Sequence, residues 1–358
     1  MYLIVGCGLS GAVLAQRLTQ SGKKVLVVEK RSHIGGNCYD YIDPETGILM
    51  NKYGAHLFHT NNEAVWNYVN KFCKWVRWEH KVLSLVDNKY VSIPVNITTV
   101  NELCDENIKT TEEFVEWLSL NQGKYSKIEN SKEMCISRVG SKLYEKLFKD
   151  YTFKQWNKYP EELDASVLSR IPIHHNFDTR YFTDKYQALP EKGYTHFFTK
   201  LLDGVEVLLN TDFKDVKDLG RFKKIIYTGP IDAYFDGLEK LEYRSIDFTI
   251  ERFLNTKFFQ PNSVVNYPSM DNPFTRSIEY KHFLNQKSIH TVVVSEKTND
   301  TGEPFYPVPT QKNKDLYEKY RKLAQKEENV YFLGRLADYK YYNMDQAIEN
   351  ALIFFDSL

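Results

Sequence analysis

The most constraining feature lies at the start of the chain. Tyr2–Val5 is a short apolar run that leads straight into Gly6-Cys7-Gly8-Leu9-Ser10-Gly11. Ala12 to Ser21 then places Val13, Leu14 and Leu18 on one helical face, with Gly22 near the stop. Lys24 to Val28 is a second apolar run and ends at Glu29. Strand, glycine turn, helix and strand make a βαβ opening of the kind that binds dinucleotides. Gly6 permits the tight turn, Gly8 lets the backbone approach a pyrophosphate, and Gly11 lets helix and strand pack closely. Leu9 and Ser10 open the helix, whose free N–H groups and positive dipole end suit phosphate oxygens. Glu29, with Lys30 beside it, is placed to accept ribose hydroxyls, and its charge disfavours a 2′-phosphate and hence NADP. A glycine-rich turn in an unrelated α/β protein would not need these flanks.

Composition narrows the class. The 358 residues suggest two or three domains, and 47 Lys+Arg balance 47 Asp+Glu. Zero net charge leaves no electrostatic case for wrapping DNA or RNA, although single phosphates can be bound locally. Five widely spaced cysteines (Cys7, Cys38, Cys73, Cys104 and Cys135) show no zinc spacing. They read as free thiols of a reducing compartment. The N-terminus lacks a basic signal region, and no apolar run approaches the ~20 residues that span a bilayer. A cytoplasmic protein without a membrane segment is expected.

Segments 78–97 and 243–296 alternate apolar and polar residues like antiparallel strands, whereas 98–170 is mostly helical. The stripes Phe114, Trp117, Leu118 and Leu143, Tyr144, Leu147, Phe148, Tyr151 read as core before site. No flexible linker or internal repeat separates these parts, so domains inserted into one cofactor fold are expected.

The stretch after Glu29 separates FAD from NAD. Lys30-Arg31-Ser32-His33-Ile34-Gly35-Gly36-Asn37 supplies a second glycine pair. It resembles FAD proteins of the glutathione-reductase type, where the chain continues along the cofactor. Asn329 to Leu333 leads into Gly334-Arg335, and Met344 to Phe355 forms a last helix. These resemble the C-terminal FAD element of that superfamily, whose helix points its positive end at the flavin. Ile225 to Pro230 fits the return strand. The expected fold is α/β: a discontinuous Rossmann-like FAD-binding domain (1–77, 198–240 and 312–358) with two insertions. One is a helical domain (98–170) with a mobile lid near 157–185. The other is an antiparallel β-sheet substrate domain (78–97, 171–197 and 241–311).

Several further strings carry a sharper resemblance. They are Gly54-Ala55-His56-Leu57-Phe58-His59-Thr60, Tyr151-Thr152-Phe153-Lys154-Gln155-Trp156, and Phe274-Thr275-Arg276-Ser277-Ile278-Glu279-Tyr280. Glu303-Pro304-Phe305-Tyr306-Pro307 and Gly334-Arg335-Leu336-Ala337-Asp338-Tyr339-Lys340-Tyr341-Tyr342 follow in order. Together they resemble the bacterial UDP-galactopyranose mutase family from Met1 to about Phe355. The resemblance implies a flavin-dependent isomerase that interconverts UDP-galactopyranose and UDP-galactofuranose, in the service of cell-surface polysaccharide biosynthesis. It implies a covalent adduct of reduced FAD, through N(5), with the sugar anomeric carbon. It implies Arg170 and Arg276 on the diphosphate, helped by Tyr181, Tyr306 and Tyr341, with Arg252 and Arg335 as further site arginines. Arginine suits the task because its guanidinium stays charged and forks two oxygens. Tyr151 and Trp156 would face uracil and sugar. His59 would lie beneath the flavin with His56 as its partner, and Gly36, Asn37, Gly334, Arg335 and Met344 would line the cofactor. No metal is expected, since His56 and His59 have no carboxylate or thiol cluster.

The partners implied are a nucleotide sugar, a cellular flavin reductant and a second copy in a homodimer. Four positions depart from the family pattern: Asp150, His174, Phe305 and Asn343, the last standing where the family commonly has aspartate. They leave open the same chemistry on dTDP-fucose or UDP-GalNAc. An amine-oxidase-like FAD oxidoreductase and a non-enzymatic nucleotide sensor are the competing classes.

Overall fold

The computed structural model describes residues 1–216, 222–235 and 238–358. The expected cofactor segment 198–240 therefore lies partly, at 217–221 and 236–237, outside the described residues.

Five parallel strands form the first sheet, in the spatial order Glu206–Leu208, Val25–Val28, Tyr2–Val5, Lys224–Tyr227, Val330–Phe332. Tyr2–Val5 and Val25–Val28 are buried along their whole length, which is why they read as unbroken apolar runs and not as alternation. The strand order reverses between Tyr2–Val5 and Lys224–Tyr227, and such a switch point opens a crevice at the strands' carboxyl ends. The helix Leu9–Gln20 starts in that crevice and packs against the last helix, Met344–Asp356. The strand Glu206–Leu208 escaped the sequence reading. It is three residues long and two of them are exposed, so it carries no apolar signal.

A seven-stranded sheet runs Tyr306–Pro307, Tyr243–Phe253, Thr291–Asn299, Arg276–Glu279, Val264–Asn266, Val82–Val86, Lys89–Ile93. Its last hairpin turns on Asp87-Asn88, both with positive φ (49° and 61°), the two-residue geometry that matches strand twist. Its neighbours are antiparallel except Val264–Asn266 beside Val82–Val86, which run parallel at Val265 and Leu83. That one parallel pair sits within a sheet otherwise antiparallel, as expected. The parallel pair joins strands on opposite sides of the helical insertion, where no hairpin connects them.

The segment 171–197 also divides. Tyr186–Pro190 pairs with Phe58–Thr60 and Trp75–Arg77 in a separate three-stranded sheet, and not with the large one. Only isolated bridges, Lys81 with Arg180 and Val95 with Ile173, tie the earlier part of this segment to the 81–95 region.

Between Ile97 and Ser169 the chain is helical wherever it is regular. Thr110 and Glu113 close a capping box on Thr111–Asn121, and Asn96 caps Ile97–Cys104. The stripes Phe114, Trp117, Leu118 and Leu143, Tyr144, Leu147, Phe148 are buried core. A π turn at Tyr144–Phe148 precedes the helix Lys149–Trp156, which carries Tyr151 and Trp156. Among the described residues no helix is long and apolar enough to cross a membrane.

Candidate functional site

A cavity of about 1290 Å³ occupies the crevice. Gly6, Gly8, Leu9 and Ser10 form one wall; Glu29, Lys30, Gly36 and Asn37 form the next. His56, Trp156, Gly334, Arg335, Asn343 and Met344 complete the expected set that lines it. Gly11 is outside the lining, because its role is packing: a Cβ there would strike the Gly6 carbonyl oxygen. A Cβ on Gly36 would lie 2.9 Å from the Gly8 Cα, whereas one on Gly8 would meet nothing closer than 4.0 Å. Two backbone segments thus pass closely and leave a clear main-chain surface, a shape that fits a pyrophosphate.

Glu29 is buried and already engaged. Its Oε2 accepts the Cys7 N–H at 2.8 Å and its Oε1 accepts the Arg31 N–H at 2.9 Å. Each oxygen keeps a further acceptor site, so the carboxylate both pins the glycine turn and remains open to ribose hydroxyls. Arg31 also lines the cavity, a residue the sequence reading passed over for its neighbour Lys30. Its guanidinium lies 4.3 Å from the Tyr53 ring, donates to Asn37 Oδ1 at 2.9 Å and pairs with Glu303. At the opposite wall Asn343 caps the helix Met344–Asp356, its N–H donating to Gln346 Oε1 at 2.9 Å. That helix therefore begins at the cavity, with its positive end toward it.

The structure places the two histidines differently. His56 borders the cavity, with Nδ1 2.8 Å from the Gly54 carbonyl oxygen. A carbonyl can only accept, so Nδ1 carries the proton and Nε2 is left as an acceptor. Burial pushes the His56 pKa down to about 4, and the positive charges of Arg335 and Arg276 push the same way. His59, expected beneath the flavin, does not line the cavity. It stacks on Phe182 at 3.6 Å, with Nδ1 3.0 Å from Asp184. The cause is strand pairing: His59 sits opposite Gln187, which brings its ring to the 182–184 segment.

Arg335 belongs to two neighbourhoods. Besides lining the cavity, its guanidinium lies 4.9 Å from the Tyr341 ring and 5.7 Å from the Tyr306 ring. Arg170, at the end of the short helix Ser166–Ser169, stacks over Tyr341 at 4.2 Å. Tyr306 and Tyr341 stack on each other, with Trp156 edge-on to Tyr306. Arg276 is held by Glu296, Nε to Oε2 at 2.7 Å and Nη2 to Oε1 at 3.3 Å. Burial raises the Tyr151, Tyr181 and Tyr306 phenols, and the charge of Arg276 opposes the rise in all three. At Tyr341 the balance tips. Burial pushes its phenol up, but Arg170, Arg335 and Arg276 together pull it below 10. Among the described residues neither Arg170 nor Arg335 meets a carboxylate. Three arginines and four tyrosines drawn from distant segments thus surround a point of unbalanced positive charge.

Arg252 does not join them. Its Nη2 lies 2.6 Å from Asp43 Oδ1, its Nε lies 3.0 Å from both Asp43 oxygens, and Glu45 is 3.4 Å away. The Asp43 side chain is completely buried, so this guanidinium is consumed as a counter-ion. The strand register explains the displacement. Phe248 stands opposite Glu296, and Arg252 lies four residues farther along the strand, ~13 Å away. Among the departures, His174 is buried with Nδ1 2.8 Å from the Asp178 carbonyl oxygen, while Phe305 packs between Phe248 and Tyr306. No cluster of metal-ligating side chains occurs among the described residues.

Residues 146–341 match the family model of UDP-galactopyranose mutase, and residues 4–72 match a Rossmann-like NAD(P)-binding domain. A probable UDP-galactopyranose mutase of Klebsiella pneumoniae is 37% identical, over 98% of this chain and 92% of its own length. The chain belongs to the UDP-galactopyranose mutase family. It is therefore an enzyme of the isomerase type, and the family implies a flavin cofactor. A dTDP-fucopyranose mutase of Escherichia coli is 34% identical over 98% of this chain and 96% of its own. A crystal structure of a reduced UDP-galactopyranose mutase superposes with a TM-score of 0.79, covering 99% and 94% of the two chains. At 17% identity that likeness speaks for the fold. A putative protoporphyrinogen oxidase from Exiguobacterium shares the fold too, with a TM-score of 0.70 over 99% and 98% of the chains at 14% identity.

Proposed function

We propose that this family member interconverts the pyranose and furanose forms of UDP-galactose, with FAD in its reduced form as the bound cofactor. The observation that carries the reading is Arg335, shared between the dinucleotide cavity and the arginine–tyrosine cluster. A nucleotide sugar with its diphosphate among Arg170, Arg276 and Arg335 has its anomeric carbon at the boundary of the two. When bound, reduced flavin supplies a nucleophilic N(5) for that carbon. The chain's own residues do the rest. Arg170 and Arg276 stabilise the charge that grows on the departing diphosphate, aided by Tyr181, Tyr306 and Tyr341. Tyr151 and Trp156 offer ring faces to uracil and sugar. His56 presents a neutral Nε2 acceptor at the cavity wall, and the helix beginning at Met344 sets a positive dipole end there.

The 157–185 segment acts as the lid that brings Arg170 over substrate. In the present conformation Arg138 donates to the Leu168 carbonyl at 2.8 Å and Lys314 pairs with Asp164, so the lid helix is tethered on both sides of Ser166. Closure excludes water from the reacting carbon. A homodimeric state, a cytoplasmic location and a cellular flavin reductant belong to the same proposal.

The relative named as a dTDP-fucopyranose mutase supports a second substrate reading, the same chemistry on a 6-deoxy sugar linked to dTDP. Dithionite-reduced protein incubated separately with UDP-galactose, UDP-GalNAc and dTDP-fucose, with products resolved chromatographically, decides between them. Ring-form exchange with UDP-galactose in the reduced protein only is the expected result. No exchange with any of the three would sink the mutase reading.

A further inference from the structure

Lys154 lies one helical turn after Tyr151 and two residues before Trp156. Its ammonium nitrogen is within hydrogen-bond distance of four main-chain carbonyl oxygens. They belong to Ser269 at 2.8 Å, Asn272 at 2.9 Å, Phe274 at 2.8 Å, and Tyr267. All four sit in one loop, which joins the strand Val264–Asn266 to the strand Arg276–Glu279. The carbonyl of Lys154 in turn accepts the Thr298 hydroxyl, and the Arg244 guanidinium at 3.4 Å. Thr298 is two residues beyond Glu296, the carboxylate that holds Arg276. One residue of the Tyr151 helix therefore grips both strands that present the Arg276–Glu296 pair.

The grip is unusual in its chemistry. Among the described residues no carboxylate bonds this ammonium, and every hydrogen bond it makes goes to main chain. Burial pulls its pKa down to about 8 against the opposing charge of Asp150, so the position resists a cation whose hydrogen bonds are all to carbonyl groups. Three N–H donors serving four converging acceptors make the path of the 267–275 loop depend on the cation. Lys154 is not part of the cavity lining.

We propose that Lys154 is a positioning residue of the diphosphate site: its ammonium shapes the 267–275 loop and so sets Arg276 against Tyr151. The proposal rests on reading the arginine–tyrosine cluster as that site. It separates Lys154 from a simple helix staple, because a staple would affect every ligand alike, whereas misplacing Arg276 affects the diphosphate above all.

The test compares flavin-loaded wild type with Lys154→Ala and Lys154→Met by calorimetry against UDP and against uridine, with flavin content and thermal midpoint measured on the same samples. Affinity for UDP should fall about tenfold and for uridine less than about twofold, with flavin retained. Hydrogen exchange of the amides of Ser269, Met270, Asp271, Asn272, Phe274 and Thr275 should quicken in both variants. Unchanged UDP affinity overturns the proposal, as does a parallel loss for UDP and uridine. Failure of both variants to retain flavin also overturns it, since Lys154 would then be required for the fold. Wild type that does not bind UDP overturns the diphosphate reading and this proposal with it.

Discussion

The cavity and the cluster meet at Arg335, yet they are built of different material. Where Gly6, Gly8, Gly36 and Gly334 line the cavity its wall is main chain, and these glycines keep Cβ atoms out of the way. The cluster wall is side chain throughout, from segments as far apart as Tyr151, Arg170, Arg276, Tyr306 and Tyr341. A main-chain wall depends on local backbone shape, so a single added methyl group disturbs it. A side-chain wall depends on charge balance, and is disturbed most when one ion loses its partner. The difference teaches where each region is fragile.

The largest effect belongs to the cluster. Arg276→Ala leaves Glu296 buried without its counter-ion, which should cost about 3–5 kcal/mol of stability and abolish UDP binding. Adding Glu296→Gln should return much of the stability, read by urea denaturation, but none of the UDP affinity. Recovery of both together would break the assignment of Arg276 to ligand and leave it a structural ion. Next comes the cavity. Gly11→Ala drives a methyl group into the Gly6 carbonyl and should cost about 1–3 kcal/mol, with flavin lost from the purified protein. A variant with full flavin content would show that the wall yields, and the contrast with the cluster would fail.

The smallest effect sharpens the boundary between the regions. His56 at the cavity and His80 behind Tyr181 are both held neutral, pushed down by burial to about 4 and about 3. The unfolded chain takes up protons near the ordinary pKa of 6.5, before the folded state does. The stability these sites contribute is therefore complete above about pH 6.5 and is lost as pH falls toward 4, by about 1 kcal/mol per histidine near pH 5.5. The thermal midpoint should decline over that window, and His80→Gln should flatten the decline. An equal slope in the variant would assign the acid sensitivity elsewhere.

Legibility followed the same division. The glycine fingerprint, Glu29, the second glycine pair and the last helix lie in short contiguous strings, and each string states its own geometry. Arg252 and Arg276 do not. Both are arginines on strands of one sheet, and both bind a buried carboxylate. Only the register, Arg276 opposite Glu296 and Arg252 opposite Val292, sends one into the cluster and the other to Asp43. Likeness set His59 beneath the flavin with His56 as its partner, whereas the pairing of His59 with Gln187 carries its ring away from the cavity lining. Family likeness named the right strings but could not assign every side chain in them a direction.

The sequence by itself determined the dinucleotide turn, the α/β class and the family, because these rest on backbone geometry and on order along the chain. Only the tertiary structure decided which charged side chains are unpaired at the site. Arg170 and Arg335 meet no carboxylate among the described residues, Arg252 is neutralised by Asp43, and Lys154 is satisfied by four carbonyl groups. The physical reason is that a charge acts through its neighbours in space, and the partners of Lys154 and Arg252 lie between 113 and 209 residues away in the chain.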